Sequence, residues 1–206
     1  MNLHVKFSAG NSKMGKIKSV SLPALLTCRS DCECLKKCYA WKLMRLRPTV
    51  RNAYQNNLDV LNNDPELYWK EVETAIKASR FFRFHVSGDI PSPSYFTCML
   101  EAAHAAPHCE ILCFTKKFDI VNSKLSAMQE LGIELPKNLH LIFSGWRGLE
   151  MDNPFGLPEA HVRYKDGSTT ASRYAFECGG NCTECAEVNV GCWALRNGQQ
   201  VVFNEH

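Results

Sequence analysis

The sequence predicts an α/β fold: a compact or partial (β/α) barrel-like parallel sheet that carries two cysteine-rich metal-binding loops. Three observations lead there. Short apolar, β-rich runs at 81–86, 111–114 and 139–143 alternate with stretches of helical character at 94–106 and 118–131, the pattern of βαβ units on a parallel sheet. At 206 residues the chain falls short of the roughly 250 of a complete eight-fold barrel. Eight of the 11 cysteines lie in two groups, at 28–38 and 178–192.

The elements follow in order along one expected domain, 1–206. Residues 3–9 alternate like a strand, and 10–27, rich in Gly, Ser and Lys, read as a loop into the first cysteine group. A helical pattern over 40–62 is interrupted at Pro48; Tyr54, Leu58 and Leu61 recur at spacings of three and four. Asp64 followed by Pro65 marks the start of a helix carrying Leu67, Trp69, Val72 and Ile76 and ending near Ser79. The three strand runs and their two helices come next, then a short strand at 160–164 before the second cysteine group.

Composition bounds the function. The chain is 45% hydrophobic and 22% charged, ordinary for a soluble domain that can build a core without disulfide staples. A net charge of +3 is too mild to imply nucleic-acid binding from charge alone. No stretch approaches the roughly 18 apolar residues that span a bilayer, so no membrane partner is expected. The first residues show no secretory signal. The expected location is therefore the cytoplasm (that of the host, if phage-encoded), where structural disulfides are rare and clustered thiols serve metals.

Thiolates favour zinc or iron–sulfur clusters. Cys178, Cys182 and Cys185 have the Cys-x3-Cys-x2-Cys spacing with which radical S-adenosylmethionine enzymes leave one iron open, and Cys192 follows as a fourth thiol that closes the site. In the first group Cys32 and Cys34 are separated by a single residue, and Cys28, Cys34 and Cys38 are the expected ligands with Cys32 as the spare. One or two 4Fe–4S clusters are the leading cofactors and zinc the alternative. Cys98, Cys109 and Cys113 sit in apolar contexts and read as core.

Parallel sheets place chemistry at the carboxyl ends of their strands. Those ends read Ser87-Gly88-Asp89, Thr115-Lys116-Lys117 and Ser144-Gly145-Trp146-Arg147. Ser87, Gly88, Asp89, Thr115, Ser144 and Trp146 are the candidate cofactor-binding residues, Trp146 as a ring for stacking on a base or adenine. Asp89, His85 and Lys116 are the candidate catalytic groups. Helix capping for Asp89, a hydrogen-bonded core place for His85 and core packing for Trp146 stand beside those roles. Arg83 shares His85's face by two-residue alternation, where the two cations would meet an anionic substrate or a carboxylate such as Asp89. Gly10-x4-Gly15-Lys16 falls short of a phosphate-binding loop because Ile17 stands where Ser or Thr would hold magnesium; a solvated turn is expected instead.

Gly10-Asn11-Ser12-Lys13, Cys38-Tyr39-Ala40, Phe84-His85-Val86-Ser87-Gly88-Asp89, Phe114-Thr115-Lys116-Lys117 and Leu135-Pro136-Lys137-Asn138-Leu139 occur in this order, before a cysteine group ending in Cys192-Trp193. The set resembles the bacteriophage and plasmid family named after gene product eighty-eight, across nearly the whole chain. Cys-Tyr-Ala and the strand-end Gly-acid are also similar to radical-SAM-like barrel proteins of phages. That second similarity implies Cys28, Cys34 and Cys38 as cluster ligands and Ser87-Gly88-Asp89 beside the amino group of S-adenosylmethionine. The first group departs from the standard Cys-x3-Cys-x2-Cys spacing. The expected function is an iron–sulfur, radical-SAM-like enzyme acting on a nucleotide, nucleic acid or peptide, with a small-molecule or nucleic-acid substrate as partner. The sequence keeps open a zinc-stapled, non-catalytic binding module.

Overall fold

A computed structural model of the protein describes residues 3–205; Met1, Asn2 and His206, the ends of the expected domain, lie outside the described residues. Eight strands form one sheet in the order β1-β2-β3-β4-β5-β6-β8-β7. They are β1 (Phe7–Ser8), β2 (Lys18–Val20), β3 (Phe81–Phe84), β4 (Glu110–Thr115), β5 (Leu139–Ser144), β6 (Glu159–Arg163), β7 (Phe176–Glu177) and β8 (Gln200–Asn204). Only β1 pairs antiparallel; every other pairing is parallel. Among the described residues β1 and β7 are edges with one neighbour each, so the expected parallel sheet is present and its closure into a barrel is not.

The helices begin where local chemistry directs. Helices α1 (Tyr39–Leu46) and α2 (Pro48–Asn63) are split at Arg47, whose extended backbone is the conformation a following proline imposes. Helix α3 (Pro65–Lys77) starts on Asp64, which accepts from the Leu67 N–H at 2.9 Å. Helix α4 (Pro93–His104) starts on Ser92, which accepts from the Tyr95 N–H. Helix α5 (Phe118–Glu130) follows β4, and the short α6 (Cys182–Glu187) follows β7.

The two faces of the sheet are built differently. Val20, Phe82, Phe84, Ile111, Cys113, Leu141 and Phe143 point to the face covered by α2 to α5, against Val60, Tyr68, Val72, Ile76, Phe96, Met99 and Val121. The alternate residues Phe81, Leu112, Phe114, Ile142, Ala160 and Val201 point to the other face. That face is covered by Met14, Ile17, Ala186, Trp193 and the second cysteine group.

Several sequence expectations change. The strand expected over 3–9 is confined to Phe7–Ser8, and the loop expected over 10–27 contains β2. β2 is too short to show alternation of its own and exists because it pairs with β3 in the register Lys18↔Phe82. The turn at 10–16 is not merely solvated. Cys182 N–H donates to the Lys13 carbonyl, Thr183 Oγ1 donates to the Met14 carbonyl and Lys16 N–H donates to Thr183 Oγ1. Gly15 has φ +64° with Thr183 Oγ1 only 2.0 Å from where a Cβ would stand, so this turn is the seat of α6. β7, α6 and β8 were not expected; β8 inserts between β6 and β7. No helix among the described residues is long and apolar enough to cross a membrane.

Candidate functional site

A cavity of about 640 Å³ opens on the face of the sheet away from α2 to α5. All eight clustered cysteines line it, from both ends of the sequence. The carboxyl ends of β3, β4 and β5 form another wall through His85, Ser87, Gly88, Asp89, Thr115, Lys116 and Ser144. All 11 cysteines are free thiols. Cys109 and Cys113 are buried in the helix-covered core and Cys98 packs against it, as expected for small apolar residues.

The first cysteine group is a loop pinned onto the strand ends. Arg29 donates to the Lys116 carbonyl at 3.1 Å and lies over the Phe118 ring. Thr27 Oγ1 accepts from the Asp89 N–H at 3.0 Å, and Tyr39 donates to the Val86 carbonyl at 2.6 Å. A 3-10 turn, Glu33–Lys37, follows Cys32, whose sulfur accepts from the Cys34 N–H at 3.4 Å. Cys38 caps α1 by accepting from the Trp41 N–H, also at 3.4 Å. The hydrogen bond between the Cys32 and Cys34 sulfurs, the Cys34 N–H and nearby Lys116 together pull Cys32 down to about 6. The same sulfur–sulfur bond, with burial, pushes Cys34 up. Burial holds Cys28 at about 11. Cys32, the spare on sequence grounds, therefore ionises more readily than Cys28 or Cys34 and faces the same cavity.

The second group is built into the apolar cover of the sheet. Cys178 follows β7, Cys182 and Cys185 lie on α6, and Cys192 precedes the buried Trp193, whose ring meets Phe81 edge-on at 5.4 Å. Burial raises Cys182 and Cys185 and takes Cys192 to about 12. Cys192 lies within electrostatic reach of each of the other three.

Asp89 occupies the centre of the strand-end wall, 6% exposed. One carboxylate oxygen accepts from Thr115 Oγ1 at 2.6 Å and from the Ile90 N–H at 2.8 Å; the other accepts from the Lys116 N–H at 2.8 Å. Burial raises its pKa and those three bonds oppose the rise. The geometry is that of a brace tying the end of β3 to the end of β4. Gly88 before it has φ +79°, and a Cβ there would stand 2.6 Å from Thr27 Oγ1 and 2.8 Å from the Leu22 carbonyl oxygen. Only glycine fits that approach. Lys116 Nζ reaches across to Ser144 Oγ at 2.8 Å, and Ser87 Oγ points to the Met44 sulfur.

His85 lies just beyond the end of β3, outside the strand expected to contain it, and takes φ +58°. That left-handed turn carries the imidazole toward Tyr95, while His85 still lines the cavity with Arg83. Its Nε2 meets the Tyr95 hydroxyl at 3.1 Å, which meets the Tyr68 hydroxyl at 2.9 Å. Its Nδ1 is buried and has no partner among the described residues. Burial, with Arg83 adding to it, pushes His85 from 6.5 down to about 3, so it is neutral near pH 7.

Trp146 does not line the cavity; its ring meets Tyr164 edge-on at 5.6 Å. Arg83, expected beside His85 as a contact for an anionic group, lines it. Its guanidinium lies over the Phe114 ring at 5.0 Å and reaches Cys182, while its buried Nε has no partner among the described residues.

Among the described residues no three or more Cys, His, Asp or Glu side chains converge as a site for a metal ion. The donor set is soft and suits iron–sulfur or zinc; a single tetrahedral zinc would need sulfurs about 3.8 Å apart. A profile of the family described as Gene product 88 matches residues 3–199. No curated protein and no solved structure matches the chain. With nearly its whole length covered, the chain belongs to the Gene product 88 family.

Proposed function

We propose that the protein is an iron–sulfur enzyme of radical-SAM-like chemistry, acting on a nucleotide, nucleic acid or peptide in the cavity at the strands' carboxyl ends. One observation carries this reading. Two cysteine groups at opposite ends of the sequence line a single cavity together with the polar strand ends. Cys28, Cys34 and Cys38 would hold a cluster with one open iron, with Cys32 beside them. Cys178, Cys182, Cys185 and Cys192 would hold a closed one. A bound cluster with an open iron supplies one electron to a ligand such as S-adenosylmethionine.

The chain's own residues supply the rest. Leu112, Phe114 and Trp193 make an apolar wall that excludes water. Ser87 and Ser144 offer hydroxyls, and Lys116 and Arg83 offer positive charge to an anionic ligand group. Asp89 aligns Lys116 through its backbone rather than meeting the ligand itself. The thiols require a reducing compartment such as the host cytoplasm.

The test is iron, zinc and acid-labile sulfide analysis of anaerobically purified protein, followed by an assay for reductive cleavage of S-adenosylmethionine. Matching iron and sulfide with a broad visible band is the expected result. Stoichiometric zinc and a colourless protein, repeated after expression with ample iron, would overturn the reading in favour of a zinc-stapled binding module.

A further inference from the structure

The overall charge is mild, but its distribution is not. Lys36, Lys37, Lys42, Arg45, Arg47 and Arg51 are all exposed, and no acidic residue occurs between Glu33 and Asp59. With those six set aside, 18 basic residues face 21 acidic ones in the rest of the chain. Lys36 pairs with Glu33 and Lys37 with Glu205. Among the described residues Lys42, Arg45, Arg47 and Arg51 have no ion-pair partner.

The segment borders the cavity through Leu35, Cys38, Tyr39, Ala40 and Leu43, and its cations stand outside that lining. Ala40 and Met44 are buried and hold α1 to the protein beside Ala24. Tyr39 and Leu43 line the cavity, and Trp41 and Leu46 are exposed among the cations, Leu46 at 66%. Cations that track a backbone, interleaved with an exposed aromatic ring, are what a single-stranded nucleic acid requires.

We propose that the outer face of α1 and the first turn of α2 dock single-stranded nucleic acid, RNA or DNA, and lead one nucleotide into the cavity. The proposal rests on the cavity being the place of chemistry and names its substrate class. At about 640 Å³ the cavity has room for a nucleotide, and a base already out of a duplex enters without the cost of unstacking. A lipid surface also attracts basic residues, but a membrane-bound helix needs a free apolar face. Helix α1 has only eight residues; Ala40 and Met44 are spent on the protein, and of its exposed apolar side chains Tyr39 and Leu43 border the cavity rather than an open outer face. A bilayer also cannot follow the segment into the cavity.

The test is fluorescence anisotropy of labelled single-stranded DNA and RNA oligonucleotides with the full chain, both as purified and metal-free. Four phosphate contacts predict roughly 50-fold weaker binding for a fourfold rise in salt, from a slope of about −0.7 per contact on a single strand. The triple variant Arg45→Gln/Arg47→Gln/Arg51→Gln should lose most of the affinity and flatten that slope to about a quarter. Trp41→Ala should weaken binding about tenfold through lost stacking. Lys70→Gln/Lys137→Gln, exposed on α3 and before β5, should bind like the unaltered protein.

No binding to either oligonucleotide at low salt would overturn the proposal. So would equal binding by the triple variant, or binding confined to anionic phospholipid vesicles. The readout needs no iron. Iron without oligonucleotide binding defeats this inference alone, and salt-dependent binding by a colourless protein defeats only the cluster reading.

Discussion

The two cysteine groups face one cavity from opposite kinds of surroundings. Cys178, Cys182, Cys185 and Cys192 pack into the apolar cover of the sheet with Trp193, Ala186 and Met14. Cys28, Cys32 and Cys34 belong to no apolar cluster; they lie on a loop tied by Arg29, Thr27 and Tyr39 to the polar strand ends. One group is part of what holds the second face of the sheet shut. The other is mounted on the part of the fold where chemistry is placed. Under the proposed function the C-terminal group is support or relay, and the N-terminal group meets the substrate.

Paired serine substitutions put the sharpest strain on that distinction. Cys182→Ser/Cys185→Ser should remove about half of the bound iron and lower stability by several kcal/mol, because a thiolate–metal unit is lost from the sheet's cover. Cys34→Ser/Cys38→Ser should remove a similar share of iron and all cofactor cleavage, at a smaller cost in urea resistance. Equal stability losses from both pairs would erase the difference between the groups. Trp193→Ala asks the same of the cover without touching a thiol. It is 2% exposed, and truncation should cost about 3–5 kcal/mol in urea unfolding.

The strand-end brace comes next. Asp89→Ala leaves Thr115 Oγ1 and the Ile90 and Lys116 N–H groups without their acceptor. A loss of about 1–3 kcal/mol is expected, and Asp89→Asn should recover part of it by keeping one acceptor oxygen. If Asp89→Ala were neutral in urea but inactive, the carboxylate would be a ligand-binding group rather than a brace.

The smallest effect expected is pH-linked. His85 is held neutral down to about 3, whereas the unfolded side chain takes a proton near 6.5. Between those values the unfolded state binds more protons, so stability rises with pH through this window and is lost as pH falls. From about pH 7 to pH 5 the His85 contribution should fall by about 1–2 kcal/mol. Relative to the unaltered protein, His85→Gln should show that much less acid sensitivity in urea midpoints. An unchanged pH slope would mean that the left-handed turn at His85 serves the backbone rather than a neutral imidazole.

The helix-covered half was largely legible in the sequence. Asp64-Pro65 and the Pro48 break act within a few residues, and the apolar strands that follow advertise themselves in the same local way. The C-terminal third was not. β7 has two residues, α6 has six, and β8 finds its place between β6 and β7. Such short pieces gain their stability from tertiary packing rather than from local preference.

The site divides along the same line. Residue types and spacing alone singled out the clustered cysteines and the strand ends Ser87-Gly88-Asp89, Thr115-Lys116 and Ser144. They also contained the acid-free run from Lys36 to Arg51, masked by the average charge of the chain. Tertiary structure decided that the two cysteine groups share a cavity, that Arg83 faces it and that Trp146 does not. It also ties Asp89 to the neighbouring strand end and turns His85 to Tyr95. The reason is physical. Helix caps and periodic faces are set by neighbours in the chain, whereas a cavity is set by strand register and by the packing of segments far apart in sequence.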